Sequence, residues 1–205
     1  MPELKTPWGE ALDPNAVLPE YPRPQLMRDS YVNLNGYWDY AIAESSAAPP
    51  AHWDGKILVP FSPEAPLSGV NRTLLPGQTL WYRRMIGETR RAEQRLLLHI
   101  GAADQQAQVY VNGQLAGTHL GGYTAFTVEL TAFLTEEPSE LTIAVQDGTD
   151  TNEFSRGKQR TKRGGIWYTP QSGLWQTVWL EWVPQTYIRG LRITPDAAHG
   201  CVRVV

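Results

Sequence analysis

A carboxylate beside a glycine, Asp147-Gly148, closes the alternating run Leu141, Ile143, Val145 and is the first group in this sequence placed to do chemistry. Side chains on a strand repeat every two residues, so the parity of that run carries Asp147 onto its inward face. A carboxylate at a strand end, where loops gather, can accept hydrogen bonds from sugar hydroxyls. An Asp-Gly pair is also ordinary turn chemistry, and both readings stand. Further along, Arg156-Gly157-Lys158-Gln159-Arg160-Thr161-Lys162-Arg163 sets five cations in eight residues. Steering of an anionic sugar and simple solvation both fit such a loop. The neighbouring Ile166-Trp167-Tyr168 adds aromatic surface that a sugar could cover. The chain has eight Trp, enough to ask whether they fill core and interfaces or stack on the CH faces of pyranoses. His52, His99, His119 and His199 are too scattered to form a ligand cluster, and His119 is expected to be fixed in a turn. Zinc-ligand spacing, a phosphate loop and a nucleophile elbow are all missing, so neither metal nor cofactor is expected.

Composition narrows the classes. At 205 residues the chain is long enough for one large β domain, or one domain and the start of another. Its 18 Gly and 16 Pro mark many turns. A net charge of −3 gives no global attraction to nucleic acid or to an anionic membrane, and neither is expected as a partner. No stretch approaches the roughly 20 apolar residues of a membrane helix. Met1-Pro2-Glu3-Leu4-Lys5 lacks the basic start and apolar run of a signal peptide. The single Cys201 cannot form an intramolecular disulfide, so a cytoplasmic location is expected and the sequon Asn71-Arg72-Thr73 is discounted.

The candidate groups must be positioned by strands. Residues 1–30, with Pro14, Pro19, Pro22 and Pro24, read as an extended arm. Short alternating runs then predict strands at 36–42, 56–60, 79–86, 94–100, 107–111, 115–119, 123–129, 140–147 and 174–183, the pattern of an all-β sandwich or barrel. In 140–147, Thr142, Ala144 and Gln146 fall opposite the apolar face, as in a half-buried strand. Asn112-Gly113 supplies the positive-φ pair of a tight hairpin. One helical turn is expected near Leu130–Leu134, capped by Thr131. Along 174–183, Trp175 and Trp179 share one face while Val178, Leu180 and Trp182 share the other, so the strand should be covered on both sides. After Pro184 a second pattern begins (Tyr187, Ile188, Leu191, Ile193, then 202–205), and the chain ends inside an expected strand, as a sequence cut short would.

Several motifs, in order, carry a resemblance. They are Leu34-Asn35-Gly36-Tyr37-Trp38, then Val59-Pro60 through Leu67-Ser68-Gly69-Val70, and Trp81-Tyr82-Arg83-Arg84. Val109-Tyr110-Val111-Asn112-Gly113, His119-Leu120-Gly121-Gly122-Tyr123-Thr124-Ala125-Phe126 and Ser172 to Glu181 complete the set. Together they resemble the N-terminal, non-catalytic domain of glycoside hydrolase family 2, the family of β-galactosidases, β-glucuronidases and β-mannosidases. The resemblance implies a jelly-roll β-sandwich of the galactose-binding type over 31–184, entry to an immunoglobulin-like domain at 185–205, and a (β/α)₈ barrel beyond the sequence.

Retaining hydrolysis needs two carboxyl groups about 5 Å apart, and the resemblance places both in the barrel. Asn152-Glu153 has the family's order for the acid/base but sits in a polar loop with no second carboxylate motif, so it is read as coincidence and no catalytic residue is expected. By resemblance, Asp147 matches an aspartate that reaches the sugar, and Asn71, in the loop after Ser68-Gly69-Val70, matches an asparagine that does the same; for Asn71 a turn is the competing reading. The implied partners are a β-glycoside and the family's other two domains, whose acids the basic loop could also meet. Exposed apolar surface leaves the chain open to homo-oligomerisation. A free-standing carbohydrate-binding module and a purely structural domain are the alternatives.

Overall fold

The computed structural model describes residues 5–44 and 48–205. Two antiparallel sheets enclose the core. The larger has the order β3 (Gly55–Val59), β2 (Gly36–Glu44), β4 (Gln78–Ile86), β10 (Ser139–Gln146), β7 (Gln106–Val111), β8 (Gln114–Leu120). The smaller runs β1 (Val32–Asn33), β12 (Val178–Pro184), β5 (Gln94–Ile100), β9 (Phe126–Glu129). Their facing sides meet through Trp38, Leu80, Tyr82, Leu141, Ile143 and Val145 on one sheet and Leu96, Leu98, Ile100, Val178, Leu180 and Trp182 on the other. The chain is an all-β sandwich, as its alternating runs require.

The hairpin at Asn112-Gly113 forms as its dipeptide demands, with φ of 50° and 76°. The Asn112 side chain accepts from the Glu140 N–H and donates to Phe133 O and Ser139 Oγ, tying the turn to the start of β10.

Several expectations need correction. Strand 174–183 is two strands: β11 (Gly173–Leu174) pairs with β6 (Ala103–Asp104), and β12 pairs with β1 and β5. Trp175 separates them, its Nε1–H donating to Gly122 O at 2.7 Å. Strand β10 is buried on both faces, because Thr142 and Ala144 are as enclosed as the apolar side. The expected strand 123–129 is ordered as a ladder only from Phe126. The turn near Leu130 is a 3-10 turn at Thr131–Phe133, and Thr131 Oγ1 accepts from the Leu96 N–H instead of capping it. It is not the sole helical piece: α1 (Pro7–Glu10), capped by Thr6, and 3-10 turns at Pro24–Leu26 and Pro66–Ser68 are present too.

The two-sided cover expected for the Trp179 strand is supplied by the N-terminal arm. Trp179, Glu181 and His99 point away from the core, and His99 stacks on Trp179 at 4.9 Å. Glu181 is 0% exposed, yet it accepts from Tyr21 and Arg23 of the arm and from Arg28 Nη1 at 2.9 Å, with His99 Nε2 3.0 Å away. Burial alone would push this carboxyl up; hydrogen bonds from His99, Tyr21 and Arg23 and the arginine charge overcome it and hold it at about 2. His99 is held below its usual range by burial, against the pull of Glu181.

Beyond β12, β13 (Ile193–Asp196) and β14 (Cys201–Val204) pair in a separate ribbon whose Ile193, Val202 and Val204 are exposed. Among the described residues no helix is long and apolar enough to cross a membrane.

Removing one partner of a buried ion cluster strands the others, so Glu181→Gln should cost about 3–5 kcal/mol in urea unfolding near neutral pH. A carboxyl whose folded value lies below its unfolded one stabilises above the unfolded value and loses that contribution as pH falls. The gap between the two proteins should therefore shrink from about pH 4.5 toward pH 2. A gap of constant size across that range would remove Glu181 ionisation as its source.

Candidate functional site

The sandwich end at which β10 stops gathers four loops. Asp147 leads the longest, spanning 147–172, and its side chain is 4% exposed, on the inward face that its parity assigns. Its Oδ1 accepts from the Thr149 N–H at 2.6 Å, and its Oδ2 from Ser172 Oγ at 2.9 Å and Thr149 Oγ1 at 3.3 Å. Both oxygens thus hold protein donors. Ser172 reaches a second loop, its N–H donating to Glu64 Oε2 at 3.0 Å, while Glu64 Oε1 accepts from the Leu74 N–H. Burial pushes Glu64 up against these backbone donors.

Asn71 lies in that Glu64-anchored loop, exposed, with φ of 53°. Residue 71 stands at the surface while Asp147 stands inside. The two predicted sugar contacts occupy loops joined by Glu64 and Ser172, on opposite sides of the surface.

Sequence reasoning missed the carboxylate under the other two loops. Asp104, at the end of β6, is 4% exposed and its Oδ1 has no hydrogen-bond partner. Burial, then the charges of Asp147 and Glu64, push it up to about 7, opposed by a hydrogen bond from Gln159. Gly122 covers it: a Cβ there would lie 2.5 Å from Oδ1, so only glycine fits. The next residue, Gln105, binds its backbone to Gln146 O and Gly121 N–H, and its side chain to Asn152 and Ser155. The only signal in the sequence is a charged residue after Gly101-Ala102-Ala103, where small side chains let loops close in.

Gly173, with φ of 75°, is likewise required, because a Cβ would strike the Tyr82 hydroxyl that accepts from the Leu174 N–H. His119, expected in a turn, instead lies near the end of strand β8 opposite Ala107, with its ring 3.1 Å from Gly121 O and stacked on Phe126. Glu153 is exposed in the loop after Asn152.

The basic loop is ordered by two isolated bridges, a parallel one between Gln159 and Tyr168 and an antiparallel one between Gly164 and Trp167. Tyr168 N–H donates to Lys158 O and Arg160 N–H to Tyr168 O, while Gly164 and Trp167 exchange both bonds. Arg160 lies 3.9 Å over the Trp167 ring. Gln159 fastens the basic loop to this end of the sandwich, bonding Tyr123 and Gln171 as well as Asp104. Tyr123 meets Trp175 edge-on at 6.2 Å. Chemically, the three carboxylates of this end hold loops. A carboxyl near 7 has a general acid's value, but beneath Gly122 Asp104 has no route to a substrate. Among the described residues no cluster of three metal-ligating side chains occurs.

Known proteins share this fold and sequence. Over 124 residues, 60% of this chain, the identity with a protein named β-galactosidase from Thermoanaerobacter pseudethanolicus is 30%. With a β-glucuronidase of Streptococcus agalactiae it is 28% over 109 residues, 53% of the chain. The solved β-glucuronidase of Bifidobacterium dentium superposes on 83% of the chain with a TM-score of 0.61 at 25% identity. The chain is an all-β sandwich similar in sequence and fold to part of proteins named as β-galactosidases and β-glucuronidases. No protein-family model matches it. It spans only 13–18% of the length of its curated relatives and 33% of the solved protein.

Asp104 takes up its proton at about 7 in the fold and at ordinary aspartate values when unfolded, so its burial costs stability as pH rises from about 4 to 7. Asp104→Asn keeps an acceptor for Gln159 without the charge. It should melt about 2–6 °C higher than the parent at pH 8 and equal it near pH 4. Equal melting at both pH values would show that Asp104 is not buried as a charge.

Proposed function

We propose that this chain is the accessory sandwich of a β-glycosidase, whose hydrolysis of O-glycosyl bonds is done by carboxylates outside it. The observation that carries the reading is the loop end itself: Asp147 and Glu64 are committed to protein donors and Asp104 is buried beneath Gly122, while the sequence likeness is to proteins named as glycosidases. A domain of this kind supplies a wall to a sugar pocket rather than the reacting groups. Asn71 is its exposed sugar-facing candidate. Asp147 would meet a hydroxyl only through the lone pair of Oδ1 that Thr149 leaves open, and first it holds the loop.

The remaining domains of such a protein, an immunoglobulin-like unit and a barrel, are part of the proposal. The exposed apolar side chains of the β13–β14 ribbon support the first, because a two-stranded ribbon is marginal alone and wants a further layer.

The test is hydrolysis of a panel of nitrophenyl β-glycosides by this chain and by the product of its uninterrupted reading frame. The longer product should cleave at least one sugar and the 205-residue chain none. Turnover by the shorter chain would move catalysis into it, with Glu153 the first residue to replace. In the active longer protein, Asn71→Ala should raise KM by about tenfold, the loss of one or two sugar hydrogen bonds.

A further inference from the structure

The loop at 158–169 presents its charge outward without a close ion pair. Among the described residues, no carboxylate oxygen lies within the 4.0 Å ion-pair distance of Arg156, Lys158, Arg160, Lys162 or Arg163, although most other ionic clusters of the chain are closely paired. The five divide by role. Arg156 and Arg160 are half-buried; Arg156 reaches Asn152 O and Arg160 packs on Trp167, so they build the loop. Lys158, Lys162 and Arg163 are exposed, and Arg163 makes one neutral bond, to Thr169. The nearest acids do not close an ion pair with them: Asp150 is held ionised by the Thr161 N–H and hydroxyl and by the charge of Arg160, and the buried Asp104 is raised to about 7.

Apolar and aromatic surface runs beside these cations. Ile166 is 63% and Tyr168 67% exposed, with Phe154 and Tyr123 also open to solvent. Flat rings flanked by unpaired cations match a sugar chain that carries negative substituents: rings cover the CH faces and cations meet carboxylate or sulfate. A nucleic acid would meet a chain of net charge −3.

We propose that the loop is a binding surface for an acidic glycan, with Lys158, Lys162 and Arg163 contacting its anionic substituents and Tyr168 stacking on its sugar rings. The proposal rests on the reading of the chain as a glycosidase domain but not on any hydrolysis by it.

Affinity electrophoresis of the 205-residue chain tests it, with gels containing polygalacturonate, chondroitin sulfate, neutral galactan or single-stranded DNA. Retardation by either acidic glycan and not by galactan is expected, falling away in roughly 0.5 M salt, where exposed charges are screened. The triple variant K158S/K162S/R163S, altered only at exposed side chains, should bind about tenfold more weakly while melting at the parent's temperature. Tyr168→Ala should weaken binding without changing its salt dependence. Because chondroitin sulfate carries carboxylate as well as sulfate, retardation by it alone names sulfate, and retardation by polygalacturonate shows that carboxylate suffices. Equal retardation by DNA, no retardation by either acidic glycan, or undiminished binding by the triple variant would each overturn the proposal. None of these results bears on the glycoside panel, so failure here leaves the accessory-domain reading in place.

Discussion

Ser172 donates twice, from its N–H to Glu64 and from its hydroxyl to Asp147, and is itself fully buried. Each is a hydrogen bond to a carboxylate, worth about 1.5–3 kcal/mol, and a buried carboxylate deprived of its donor costs at least as much. Two long loops, 60–74 and 147–172, are therefore fixed relative to each other and to β10 through one small side chain. Everything presented at this end inherits that fixation: Asn71 from the first loop, the basic segment from the second. The same arrangement decides what the carboxylates can do. A group whose lone pairs hold the loops in place is poorly free to attack or protonate a substrate.

The opposite solution appears on the outer face of the smaller sheet. Glu181 stays charged because three donors from the arm and one neighbouring histidine converge on it, whereas Asp104 lacks an opposite charge and yields its ionisation instead. The two carboxyls, at about 2 and about 7, differ through partners more than through burial. The arm is consequently part of the sandwich, closing a face that would otherwise expose Trp179 and His99.

Local patterns were readable where local physics decides. Asn112-Gly113 announces its hairpin because both residues tolerate positive φ, and the alternation of Leu141, Ile143 and Val145 announces β10 and the inward aspartate. The motifs from Leu34 to Glu181 led correctly to the family. Legibility failed where the partner is distant. Glu181 reads as a solvated acid until Arg23 and Arg28, more than 150 residues earlier, are folded against it. The break between β11 and β12 is invisible because every residue from 174 to 183 suits a strand; only the Trp175 bond to Gly122 turns the chain. Asp104 is buried by a glycine from another loop, a contact that no window of sequence contains.

Charge is sorted by depth at the loop end, acids beneath and cations above, and Gln159 is the side chain that joins the layers. Its amide donates toward Asp104 and Tyr123 while its oxygen accepts from the Gln171 N–H at 2.6 Å. Burial first, then the charges of Asp147 and Glu64, raise Asp104 to about 7, so its charge is only partly developed near neutral pH, while Lys158, Lys162 and Arg163 stand exposed to solvent. A chain that is acidic overall can in this way keep a local basic surface, because its exposed cations lie outside ion-pair distance of the acids beneath them.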